Sequence, residues 1–219
     1  MDSFPNPIVL IGLLGIFGLA PFIAVLISSF VKIVVVMHMM RGALGLQQAP
    51  PNLAVNGIAI ILSMYIMAPV GMDAYDRFQA HDVAIADIKN PNVQEAIRDG
   101  MVPVKAFLKR HSKPEELRFF SQTTKKIWPK KYSDSVTEDH MLVLTASFLV
   151  SELTSAFQIG FLLYLPFIVI DLIIANILIS MGMIMVAPVM ISLPFKVLLF
   201  ILIDGWSRLT HGLILSYHH

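Results

Sequence analysis

Four charged side chains stand where charge is expensive. Residues 151–205 are almost unbroken apolar sequence, yet they include Glu152, Asp171, Lys196 and Asp204, and each would cost roughly 2.5–3.5 kcal/mol facing lipid at mid-bilayer. Two chemistries suit such residues. Asp171 and Asp204 could serve as the paired acids of an intramembrane aspartyl protease. Alternatively, Glu152 could take Lys196 as its counter-charge, within the chain or from the next copy, in a buried pair that fixes register. Thioethers form a second set: Met181, Met183 and Met185 alternate along one segment, and Met37, His38, Met39 and Met40 make another cluster. Methionine sulfur suits a soft metal such as copper; it also suits flexible core filler, or an adaptable apolar seal that closes a pore by dewetting. A third set is a stripe of small and polar residues, Ser147, Ser151, Thr154 or Ser155, and Gln158, recurring every three to four positions. That period puts them on one helical face, for close helix packing or for lining a pore.

Other chemistries are disfavoured. The chain has no cysteine, which removes disulfides, thiolate metal sites and cysteine nucleophiles. Its seven histidines show no metalloprotease spacing, no serine nucleophile has a sequence signature, and no glycine-rich phosphate loop is present. No enzyme, cofactor or resident metal is therefore expected. A net charge of +1 supplies no basic field for nucleic acid.

Elements that could position these residues belong in a membrane, because 56% apolar residues and a mean hydropathy of +0.73 are unlike a soluble domain. The first apolar block, Ile8–Val31, is too long for a signal-peptide core and lacks a basic lead, so it is expected to be retained. Pro21 should kink it, with Gly12, Gly15 and Gly18 upstream. The second block, Leu53–Val70, is marginally long enough to span. A third runs from about Met141 to Leu165. A fourth starts near Phe167, turns around Met181–Pro194 and returns over Phe195–Leu202, with hairpins expected at Pro166, Pro188 and Pro194.

Between Gly71 and His140 lie 23 of the 31 charged residues, marking a soluble helical insert. Asn90–Pro91 opens a helical run to about Arg110, and capping boxes are expected at Ser112/Glu115 and Ser135/Glu138. The organisation expected is 1–70, N-terminal hydrophobic helices; 71–140, the insert; and 141–219, C-terminal hydrophobic hairpins. Lys32, Arg41 and Lys196, read as loop charges, place their ends in the cytoplasm and put both termini and the insert on the far side, which in a bacterium would be the periplasm.

Several ordered segments carry a resemblance: Ser151-Glu-Leu-Thr-Ser-Ala-Phe-Gln-Ile-Gly-Phe161, Leu165-Pro-Phe-Ile-Val-Ile-Asp171, Ile179-Ser-Met-Gly-Met183 and Ile191-Ser-Leu-Pro-Phe-Lys196. Arg41-Gly-Ala-Leu-Gly45, Gln47-Gln-Ala-Pro-Pro-Asn52 and Asp204-Gly-Trp206 extend it over nearly the whole chain. Together they resemble the SctR/YscR (FliP) family of type III secretion export-apparatus core proteins. Met67-Ala-Pro-Val-Gly71 and Leu209-Thr-His-Gly212, with the lack of a long leader, look more like the injectisome branch than the flagellar one.

The resemblance implies an all-α membrane protein of kinked hairpins, assembled as a helical, cone-shaped homo-oligomer of about five copies. Implied partners are SctS/FliQ-type and SctT/FliR-type membrane proteins, other export-apparatus subunits and unfolded secreted proteins. The implied place is the bacterial inner membrane, with the cone raised toward the periplasm. The family's methionine constriction falls on Met181, Met183 and Met185 as pore gate, while Glu152, Lys196, Asp171 and Asp204 become buried or inter-subunit charges. Ser147, Ser151, Ser155 and Gln158 remain a packing or pore stripe. The alternative function is a soft-metal transporter using the methionine clusters.

Overall fold

A computed structural model describes residues 15, 18–19, 21–81 and 91–218. Among them the regular structure is helical, with no strand. Nine helices with described bounds are α1 (Phe30–Ala43), α2 (Asn52–Gln79), α3 (Pro91–Gly100), α4 (Val102–His111), α5 (Pro114–Ile127), α6 (Lys130–Ser133), α7 (Met141–Ser180), α8 (Pro188–Leu202) and α9 (Gly205–Leu215). The all-α membrane class holds: α2 and α7 are each long and apolar enough to span a bilayer, and α8 with α9, bent by 61°, qualifies as a broken third span. Gly12 and Phe17, from the expected proline kink, lie outside the described residues. Downstream of Pro21, residues 21–26 are helical and the break comes at 27–29 before α1 begins.

The longest element differs from expectation in an instructive way. Residues 141–180 form one 40-residue helix through Pro166, with no hairpin there, so the third block and the first half of the fourth are continuous. Proline forfeits only the bond to the Leu162 carbonyl, and the flanking Ile159, Leu163, Tyr164 and Phe167 all join the core around α1. Pro194 likewise lies inside α8, whereas Pro188 occupies its first turn, where a missing amide costs nothing. Lys196 is consequently a helical residue of α8, not a turn residue. The apolar-to-charged change near residue 70 falls within α2, which continues to Gln79.

α1 lies along α7 and against α2, forming the main core of Ile33, Val36, Met37, Met40, Val55, Ala59, Ala156, Phe167 and Phe200. Gly160 allows the closest approach: a Cβ there would fall 2.4 Å from Met39 Sδ. The charged insert packs back onto the spans, with α3 and α4 against α2, and α4 and α5 against α7. Phe107 and Leu108 of α4, Leu117 of α5, and Leu144 and Phe148 of α7 form the second core.

Neither capping box forms as expected. Ser112 ends α4 and donates its hydroxyl to the Leu108 carbonyl at 2.7 Å. α5 starts at Pro114, with Lys113 at its cap and Glu115 and Glu116 against the positive helix end. At α7 the cap is His140, whose Nδ1 accepts from the Leu142 amide at 3.3 Å; Ser135 donates instead to the Tyr132 carbonyl.

Candidate functional site

Two buried polar clusters and one exposed loop collect the candidate residues. Glu152 is 2% exposed and pairs with Lys32, which is 5% exposed, at 3.0 Å. The Tyr217 hydroxyl donates to the other carboxylate oxygen, Oε2, and the Lys32 ammonium sits 3.8 Å above the centre of the Tyr217 ring. One acid on α7 thus holds a cation from α1 and a phenol from beyond α9. Phe107 stacks on the same tyrosine and His111 meets it edge-on, so α4 closes the site. One turn before Lys32, the Ser29 hydroxyl donates to Ser63 Oγ of α2 at 3.1 Å.

The Glu152–Lys196 pairing expected within the chain is therefore corrected. Lys196 donates to Asp171 Oδ2 at 2.6 Å and to the Ala43 carbonyl at 3.2 Å. Ser192, one turn earlier on α8, donates to Asp171 Oδ1 at 2.6 Å. This second cluster ties α8 to α7 and to the end of α1. The physical reason for the exchange is the unbroken α7, which carries Asp171 nearly twenty residues beyond Glu152 and so gives each acid its own cation. It also alters the orientation argument: Lys32 and Lys196 are buried in ion pairs, and only Arg41 remains a loop-side charge, bonded to the Pro50 carbonyl and Asn52 Oδ1.

Asp204 behaves differently. It precedes α9 with φ 51°, in the left-handed region, at the bend between α8 and α9, and it is exposed. Asp171 is committed to Lys196 and Ser192, so the structure does not present the two aspartates as a proteolytic pair. The Met37–Met40 cluster is used in packing: Met37 and Met40 are core residues and Met39 packs on Gly160. Among the described residues no group of three or more histidine or acidic side chains could hold a metal ion.

The methionine segment is shaped by one glycine. α7 ends when Gly182 takes φ 74°; its amide bonds the Ile179 carbonyl at 3.0 Å and the Met183 amide reaches back to Leu178 at 2.9 Å. That pair of bonds is the Schellman closure, which requires a residue tolerant of left-handed φ. Residues 181–187 then turn into α8, and Met181, Met183 and Met185 are 64%, 46% and 100% exposed. Three thioethers are thus displayed together at the tip of the α7–α8 hairpin, whereas Met37 and Met40 are held in the core.

The polar stripe divides. Ser147 and Ser151 are buried under the α4–α5 connection, where Ser151 Oγ accepts from the Lys113 amide at 2.8 Å and donates to the Ser147 carbonyl at 2.7 Å. Ser155 is half-buried and Gln158 exposed. Packing within the chain absorbs the upper two, partly covers Ser155 and leaves Gln158 facing outward. Sequence reasoning missed Lys32 and Tyr217 as site residues. Lys32 carried the same signal as Glu152, a charge inside an apolar run; Tyr217 carried none.

A profile described as the FliP family matches residues 13–213. The chain is 52% identical over 217 residues to Yop proteins translocation protein R of Yersinia pestis, covering 99% of each. It is 44% identical to hypersensitivity response secretion protein HrcR of Ralstonia nicotianae, over 91% of this chain and 92% of that one. With virulence protein YscR of Salmonella typhimurium it shares 41% over 98% and 99%.

Proposed function

Because the chain belongs to the FliP family and is a subunit of the type III secretion apparatus, we propose that it forms, in about five copies, the gated wall of the export pore through which unfolded proteins leave the bacterial inner membrane. SctS/FliQ-type and SctT/FliR-type membrane proteins complete the pore, and the assembly sits raised toward the periplasm. The organisation into residues 1–70, an insert 71–140 and a gate-bearing 141–219 serves that reading. The outer spans would make the wall, and the insert would brace it.

The observation that carries the proposal is the display of Met181, Met183 and Met185 at a hairpin tip set by Gly182. A monomer has no use for three exposed thioethers at such a tip. Around a shared axis, several copies of this loop would meet as a ring of flexible, polarizable side chains, excluding water at rest and yielding to a passing chain. Gln158, exposed on α7, and the half-buried Ser155 above it are polar groups left for neighbouring subunits.

The test is the Met181→Ala/Met183→Ala/Met185→Ala variant in the assembled complex. Native mass spectrometry should give a complex of about five copies with or without the small partners, and the variant should leak ions where the parent does not. Leucine at the same three positions should restore the seal, since the apolar bulk returns. A monomeric native mass, or an intact assembly with no leak in the alanine variant, would overturn the proposal.

A further inference from the structure

Behind the bent pair α8–α9 lies an apolar cavity of about 400 Å³, walled by Met40 of α1, Leu163 and Phe167 of α7, Leu199 and Phe200 of α8 and Leu209 of α9 among others. A second, more open apolar recess, about 610 Å³, adjoins it and shares Phe200 and Gly205 with it. α9 packs on α2 and α8, and the first cavity occupies the space between α9 and α7. Arg208 is the single charged residue at that cavity and Asp204 the single one at the recess.

Asp204, just before α9, stands one turn from Arg208, which shares an exposed stripe of α9 with Ser207 and His211. Among the described residues neither the Arg208 nor the Asp204 side chain makes a hydrogen bond or ion pair, with each other or with anything else. Among the described residues, the other Lys, Arg, Asp and Glu side chains of 21–70 and 141–218 are engaged: Lys32 with Glu152, Lys196 with Asp171, Arg41 with Asn52. An apolar hollow of this size within a candidate span, with a free guanidinium at its wall and a free carboxylate one turn away at the adjoining recess, matches an amphiphile with a long hydrocarbon tail and a head bearing both an anion and a cation. Guanidinium is the side chain best shaped for a phosphate.

We propose that this hollow is a structural phospholipid site: an acyl chain fills the cavity, the headgroup phosphate lies on Arg208, and an amine headgroup of the phosphatidylethanolamine type places its ammonium on Asp204. The lipid would act as the filler that couples α9 to α7, so the site belongs to the subunit and does not depend on what the pore transports.

The experiment reconstitutes the purified assembly into phosphatidylcholine nanodiscs containing equal small fractions of phosphatidylethanolamine and phosphatidylglycerol, re-extracts it in mild detergent and quantifies retained lipid by mass spectrometry. The parent should retain phosphatidylethanolamine several-fold over both others. Arg208→Gln should reduce that retention about tenfold, the loss expected of one charge-assisted contact. Asp204→Asn should keep a bound phospholipid but abolish the preference over phosphatidylglycerol. Gly212→Leu, whose new side chain enters open space, should displace the tail without unfolding the protein. Equal retention of all three lipids, or retention indifferent to Arg208→Gln and Gly212→Leu, overturns the proposal. So does protein in the cavity: Gly212→Cys would be the chain's single thiol, and efficient photocrosslinking of a benzophenone-maleimide label on it to a neighbouring subunit in place of lipid would show another occupant.

Discussion

The Glu152 cluster gives the sharpest test of the structure. Lys32 and Glu152 are both nearly inaccessible to solvent and bond at 3.0 Å, so Glu152→Gln leaves a buried ammonium with no anion and Lys32→Met leaves a buried carboxylate with only Tyr217. Removing one partner of such a pair costs about 3–5 kcal/mol, whereas replacing both with neutral groups of similar volume is often close to neutral. The double variant should therefore recover most of the loss, and two single costs of that size against a near-neutral double give a coupling of about 5–10 kcal/mol in the cycle. Tyr217→Phe, which removes one bond to a charged group, should cost about 1.5–3 kcal/mol. As a control, Glu152→Gln with Lys196→Met should be additive to within about 0.5 kcal/mol, because each belongs to a separate cluster. Unfolding of the purified protein by titrated denaturing detergent supplies the free energies, and secretion in cells supplies function. A Glu152–Lys32 coupling under about 0.5 kcal/mol, or a stronger coupling of Glu152 to Lys196, refutes the arrangement.

Two glycines make further tests. Gly160→Ala would bring a Cβ to 2.4 Å from Met39 Sδ; overpacking of this kind costs about 1–3 kcal/mol, and Met39→Ala should relieve part of it in the same unfolding assay. Gly182→Ala has open space for its methyl, so its penalty is conformational: a left-handed φ of 74° costs about 1–2 kcal/mol in an L-residue. Because that residue aims the methionine loop, ion leakage through the assembled complex should rise even if stability falls only slightly; an unchanged leak would mean that the helix closure does not set the gate.

Much of this was legible in residues, and the failures have physical causes. The hydropathy of residues 53–70 and 141–165 marked two spanning helices, α2 and α7, and the alternation of methionines around Gly182 marked the loop that the structure displays. The proline at 166 misled, since a single lost hydrogen bond cannot stop a helix whose flanks are buried against α1. Capping boxes at Ser112 and Ser135 misled for a related reason: tertiary demands placed the Ser112 hydroxyl on the preceding helix and handed the α7 cap to His140. Lys32 was legible but misassigned as a loop charge. Tyr217 was not legible, because its partners lie 65 and more positions away in sequence and only the folded path of α9 brings it there.

The case for assembly shifts accordingly from charges to apolar surface. Glu152, Lys32, Lys196 and Asp171 satisfy one another inside a single chain, so they no longer demand a neighbour. α7 does. At 1.5 Å per residue its 40 residues extend about 60 Å, twice the hydrocarbon thickness. Its N-terminal half is braced by α4 and α5, which carry Lys105, Lys109, Arg110, Glu115, Glu116 and Arg118 and belong in water. The same half nevertheless exposes Leu142, Val150, Leu153 and Phe157. Those side chains stand at the level of a charged insert, where acyl tails are not available to cover them, and a row of large apolar groups left in water favours association. Other protein surface is the cover that fits both levels at once, which is why a ring of copies suits α7 better than a lone span does.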